Sequence, residues 1–105
     1  MSTQLKKGVL DLIVLSKINE KDTYGYDIYQ RINKNMGISE STIYPILRKF
    51  IKNEFCETYL KESAEGPPRR YFRISKRGVS KLQELKSDWR RFENVVNILL
   101  TNTKK

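Results

Sequence analysis

A chain of 105 residues that is 38% hydrophobic and 10% aromatic can build one small core and hardly two, so a single folded unit is expected. Its 21 Lys and Arg against 12 Asp and Glu give a formal charge of +9, which favours a polyanionic partner, either nucleic acid or an anionic membrane surface. Histidine is absent and Cys56 is the single cysteine, so it cannot form an internal disulfide and has no histidine or second thiol with which to hold a metal or build a nucleophilic dyad. That composition argues against an enzyme, gives no reason to expect a cofactor, and suits a small buried thiol in a reducing compartment.

The first apolar pattern, Leu5, Val9, Leu12 and Ile13 with Leu15 and Ile18, recurs at helical spacing and predicts a helix over residues 4–18. Asp11 and Lys17 interrupt it, and no small-residue cleavage site follows, so neither a membrane span nor an export leader is expected. A cytoplasmic protein is the expectation, and nucleic acid is the abundant polyanion there. The "NEKDT" stretch is turn chemistry, with Asp22 or Thr23 as the cap of a second helix over residues 24–34. Ile28 and Ile32 would face inward, with Tyr24 and Tyr29 at the edges.

Gly37 suits a helix C-cap with positive φ, and Ser39 suits the N-cap of a third helix running to about Asn53. Two helices joined by so short a break resemble a helix-turn-helix. In the third, Ile43, Ile46, Leu47, Phe50 and Ile51 share one face, leaving Ser41, Thr42, Tyr44, Pro45, Arg48, Lys49 and Lys52 elsewhere. Beyond Asn53, "FCETYL" and "RRYFRIS" are aromatic and β-branched with partial alternation, and flank "KESAEGPP". They predict a β-hairpin with a long tip, carrying Lys61, Arg69, Arg70 and Arg73, while Glu62 and Glu65 weaken the positive field. The remainder, from Ser75 as N-cap, is helical, and Leu82, Leu85, Trp89, Phe92, Val96 and Leu99 step by alternating three and four, a heptad seam. Residues 101–105 are expected to fray.

The order α-α-α-β-β-α gives the expected fold: mostly α with a small β-hairpin (α+β), a winged helix-turn-helix over residues 1–75 followed by a C-terminal dimerisation helix over 76–105. A helix fits the major groove of B-form DNA, and a hairpin beside it reaches phosphates or the neighbouring minor groove. The third helix is then the reader. Pro45 removes one helical hydrogen bond, a cost of up to about 3 kcal/mol deep in a helix and less near its start. A site bearing such a cost points to function, so Ser39, Ser41, Thr42, Tyr44 and Pro45 are placed at double-stranded DNA with Arg48 and Lys49, and Lys61, Arg69, Arg70 and Arg73 beside them. Plain capping by Ser39 and Ser41, and packing by Tyr44, are the alternatives. A winged helix serving RNA or protein without operator specificity is the alternative function.

The blocks "LKKGVLDLIVLSKI", "YGYDIYQRI", "STIYPILRKF" and "GPPRRYFRISKRG" together resemble the PadR-type transcriptional regulators, specifically the short-chain members with one C-terminal helix. The resemblance implies a homodimeric repressor on a palindromic promoter operator, released by small lipophilic or phenolic molecules. Where relatives carry a leucine and then a glycine-containing turn, this chain has Phe50 and "KNEF", and Asn53 is expected to supply the left-handed residue. One small core cannot cover Leu82, Leu85, Trp89, Phe92, Val96 and Leu99, which predicts a homodimer through the last helix. The resemblance implies that Leu5, Val9 and Leu12 pack on the same seam. Trp89, with Leu85 and Phe92, is the expected wall of a hydrophobic or aromatic effector site at the dimer centre, the alternative being a plain dimer-core residue.

Overall fold

The structure, a computed structural model, describes residues 3–101; the side chains of residues 3–5 and 7 also lie outside the described residues. Helix α1 spans Thr3–Glu20. It is apolar on more than one side, and the core takes Leu10, Val14, Leu15 and Ile18, all at most 3% exposed. Of the stripe expected from spacing, Leu15 and Ile18 are in the core, whereas Val9, Leu12 and Ile13 form a second, half-buried face, and the Leu5 side chain lies outside the described residues. A helix with apolar residues on two faces offers periodicity but no single inward direction.

The two residues after the α1 turn form strand β1, Thr23–Tyr24, rather than a cap. Helix α2, Gly25–Met36, has Tyr24 as its N-cap residue with no side-chain cap bond. The buried Thr23 hydroxyl donates to Asp27 at 2.5 Å, and Asp22 faces the wing instead. Gly37 closes α2 at φ 63°, as expected of a left-handed C-cap, and Lys6 of α1 donates to the carbonyls of Met36 and Gly37 at 3.1 and 2.6 Å.

A single helix beginning at Ser39 is not what forms. Glu40–Thr42 make a 3₁₀ turn, and α3 runs Ile43–Lys52, with Ile43, Leu47 and Phe50 buried. Pro45 thereby falls in the first turn of α3, where its missing N–H removes no bond within the helix, so its cost is small. The end of α3 is a Schellman motif: Phe55 N–H reaches the Phe50 carbonyl at 2.8 Å and Glu54 N–H the Ile51 carbonyl at 3.0 Å. That motif puts the left-handed residue one position past the cap, so Glu54 has φ 62°, and Asn53, expected to be left-handed, has φ −90°. The Phe50 and Phe55 rings, 6.1 Å apart, supply the motif's apolar contact.

Strands β2, Cys56–Ser63, and β3, Gly66–Ile74, form the expected hairpin but not its long tip: the ladder runs on through "KES" and "GPP" to a Ser63–Gly66 pair, leaving a two-residue turn. The sheet has three strands instead of two, in the order β1-β3-β2, because Thr23 and Tyr24 pair antiparallel with Phe72 and Tyr71. Helix α4 spans Lys76–Thr101, and Ser75 caps it as expected, its Oγ accepting from Gly78 N–H at 3.0 Å. Thr101 is still helical; residues 102–105, expected to fray, lie outside the described residues. The first turns of α4 pack on the domain, Leu82 fully buried and Leu85 against the core, and the rest runs outward, giving extents of 61 × 28 × 20 Å.

Candidate nucleic-acid interface

The start of α3 is built by the 3₁₀ turn. It gathers three hydroxyls: Ser39 Oγ lies 3.1 Å from Ser41 Oγ and 2.9 Å from Thr42 Oγ1. Ser39 makes no side-chain cap bond, so its hydroxyl stands with its neighbours; only its carbonyl closes the turn, accepting from Thr42 N–H at 3.1 Å. Tyr44 and Pro45 follow, both exposed. The Tyr44 hydroxyl donates to Glu40 at 2.7 Å, and this bond, helped by partial burial, pushes the hydroxyl up to about 12. Its ring lies on Gly25, where an added Cβ would come within 2.6 Å of Tyr44 Cε1. The one residue without a side chain at the start of α2 is thus where the reader's tyrosine leans.

The two cations on the reader differ. Arg48 is exposed, with no carboxylate ion pair among the described residues, whereas Lys49 is ion-paired with Asp11 of α1. On the wing the same division appears. Lys61, Arg69 and Arg73 project from one face of the sheet, and Arg70, opposite Leu60 in the ladder, projects from the other. The structure thus separates Arg70 from the three with which it was grouped. Arg73 bonds Asp22 at 3.4 Å and lies 3.9 Å from Glu57, and the bond to Asp22 raises its pKa. The same Asp22 accepts from the Tyr59 hydroxyl at 2.7 Å, which raises the tyrosine's pKa.

Sequence reasoning missed what lies between these cations. Tyr24, Tyr71 and Tyr59 occupy one rung across all three strands, with ring centroids 5.3 and 5.7 Å apart. Each carries a cation on its face: Arg69 on Tyr24 at 4.6 Å, Lys61 on Tyr71 at 5.0 Å and Arg73 on Tyr59 at 4.7 Å. The signal was present as the odd-numbered alternation Tyr59-Lys61 and Arg69-Tyr71-Arg73. It reads fully only once β1 brings in Tyr24. Glu40 and Gly25 were likewise unassigned and Asp22 was expected only as a helix cap, because their partners are set by the fold.

The apolar seam is placed as follows. Leu82 lies wholly inside the subunit core, which takes it off the outward seam to which its heptad position assigned it. Leu85 and Val96 are half-buried, and Trp89, Phe92 and Leu99 are exposed, the last two above 60%. Val95 and Ile98, at 47 and 48%, widen the exposed strip beyond the six heptad positions. Trp89 and Phe92 rings sit 6.4 Å apart on an open helix face.

Residues 14–84 match the transcriptional regulator PadR-like family. The chain belongs to that family. Among solved structures, a PadR-like transcriptional regulator from Bacillus cereus is 35% identical, covering 98% of this chain and 100% of its own, with a TM-score of 0.84. A Streptococcus transcriptional regulator is 33% identical over 93% of this chain and 98% of its own, TM-score 0.83. A regulator from Clostridium thermocellum is 30% identical over 92% and 95%, TM-score 0.82. An uncharacterized protein of Lysinibacillus sphaericus is 35% identical over 98 residues, 90% of each chain. As a PadR-like chain, this is a DNA-binding transcriptional regulator of winged-helix fold. No helix among the described residues is long and apolar enough to cross a membrane.

Proposed function

We propose that this PadR-like chain is a cytoplasmic repressor that binds a palindromic promoter operator as a homodimer and is released by a small planar hydrophobic compound. Residues 1–75 form the DNA-binding unit and 76–105 the dimerisation helix. The observation that carries the dimer is the outer half of α4: Trp89, Phe92, Val95, Ile98 and Leu99 are each at least 39% exposed on one helix, an apolar area a second subunit would cover. Val9 and Leu12 of α1, both half-buried, are assigned to the same interface, and Leu5 with them by spacing.

DNA is met by the turn and first part of α3, with Ser39, Ser41, Thr42, Tyr44, Pro45, Arg48 and Lys49, and by Lys61, Arg69, Arg70 and Arg73 of the wing. Arg48, Lys61, Arg69 and Arg70 have no ion pair among the described residues and therefore have their full charge to give to phosphates. Two readers related by a two-fold axis suit half-sites roughly 34 Å, one duplex turn, apart.

The effector site is assigned to Trp89, Leu85 and Phe92 with their symmetry mates. Among the described residues Trp89 has the Phe92 ring 6.4 Å away and is 39% exposed, which leaves surface for a second subunit to cover. Compounds stacked there change the angle between the paired helices and so the spacing of the readers. Sedimentation equilibrium at micromolar concentration, combined with operator binding during titration of planar phenolic and cationic compounds, tests the reading. A dimeric mass and a Trp89 emission change that parallels loss of DNA are expected; a monomeric mass, or quenching with unchanged affinity, contradicts it.

A further inference from the structure

The outward face of the wing has two charged rungs on either side of the tyrosine rung, and they are built oppositely. Toward the base, Arg73 stands across from Glu57 and also holds Asp22, so the cation is compensated. Toward the tip, Lys61 stands directly across from Arg69. Like charges facing each other across a ladder are destabilising, and among the described residues neither has a carboxylate ion pair. What holds them is aromatic: Arg69 leans over Tyr24 and Lys61 over Tyr71, two adjacent rings 5.3 Å apart, so each head has its own ring and fewer rotamers. The ladder's register shift falls immediately after Lys61, between Lys61 and Ser63, where a bulge re-aims a strand's side chains.

We infer that Lys61 and Arg69 form a two-cation clamp for one backbone phosphate of duplex DNA, and that Tyr71 and Tyr24 are positioning residues that hold the clamp open for it. The inference deepens the reading of the wing as a DNA contact and rests on it. An anion between the two heads removes their repulsion, and a phosphate's two free oxygens can accept from both cations at once. A stacking platform for bases is a poorer use of the same rung, because each ring already carries a cation on its face.

The test is a pair of double-mutant cycles read by fluorescence anisotropy, Lys61→Met with Tyr71→Leu and Arg69→Met with Tyr24→Leu, on a bound duplex over a range of salt, with thermal melts of every variant. Lys61→Met and Arg69→Met should each lower the salt slope by about 0.9. Their melting temperatures should be unchanged or raised, because a repulsion is gone. Tyr71→Leu should weaken binding about fivefold, Tyr71→Phe less than twofold, and the Tyr71→Leu loss should vanish in the Lys61→Met background. Should Tyr71→Leu melt below the assay temperature, the Tyr24 and Arg69 cycle decides by the same criterion. Unchanged affinity and slope in both Met variants would remove the wing from the DNA; slopes that fall while the tyrosine losses are absent or simply additive would leave the wing at the DNA and sink the positioning role.

Discussion

At the scale of single residues, partners divide the cations that the sequence presents as equals. Arg48→Ala should lower duplex affinity about tenfold and the salt slope by about 0.9, uniformly across sequences, since a phosphate contact carries no base information. Lys49→Ala should cost less, because Lys49 already has Asp11 as a counter-charge and releases fewer ions on binding. Salt titrations of both variants check the order. Gly25→Ala tests the support beneath the reader: a Cβ there meets the distal edge of the Tyr44 ring, which can move, so the melting temperature should hold within a few degrees while affinity falls several-fold. Cys56 has a different role. Burial pushes its thiol from 9.0 up to about 12. A pKa raised on folding contributes stability that is fully present below the unfolded value and lost as pH rises from about 9 toward 12. At pH 8 the native thiol should therefore resist an aromatic disulfide reagent that labels it at once in urea.

At the scale of elements, the joint between wing and α4 is the tightest. A Cβ on Gly78 would stand 2.1 Å from the Phe55 carbonyl oxygen and 2.7 Å from Ile74 Cγ1, and the first of these is backbone that cannot turn aside. Gly78→Ala should destabilise by about 3 kcal/mol, seen as a lower urea midpoint with an unchanged slope. These same elements mark what the sequence made legible. Helices α2 and α4 and the hairpin were readable from period, and Gly37 as C-cap of α2 and Ser75 as N-cap of α4 are local signals that the fold left intact, whereas the N-cap expected for α2 was not. Strand β1 was not readable, because two residues have no period of their own and form a strand only by pairing with Phe72 and Tyr71, nearly fifty residues away. The inward face of α1 was only partly legible: Leu15 and Ile18 belong to the expected stripe, but so do Val9, Leu12 and Ile13, while Leu10 and Val14 do not, since both sets repeat at helical spacing. The 3₁₀ turn before α3 was read as helix because its hydroxyls look like caps, although they bond one another. Of the interface, residue types were legible and partners were not: nothing local ties Lys49 to Asp11 or Arg73 to Asp22.

At the scale of the whole molecule, two surfaces stand out among the described residues: the cationic turn, helix and wing, where Arg48, Lys61, Arg69 and Arg70 have no ion pair, and the exposed apolar strip of α4. In the proposed reading the first meets duplex DNA and the second another copy of the chain, which would set two copies of α3 in fixed relation. Replacing Phe92 and Leu99 with glutamate should give a monomer that keeps its fold and non-specific DNA binding while losing operator affinity by far more than either reader alone supplies. Sedimentation and anisotropy on the same samples check this. The most direct measurement is selection of bound duplexes from a random pool by the intact protein, followed by sequencing. The account predicts enrichment of an inverted repeat with half-sites about one helical turn apart, lost in the double variant Arg48→Ala, Lys61→Met. A pool that remains unsorted, or one that yields a single unrepeated half-site, would contradict it.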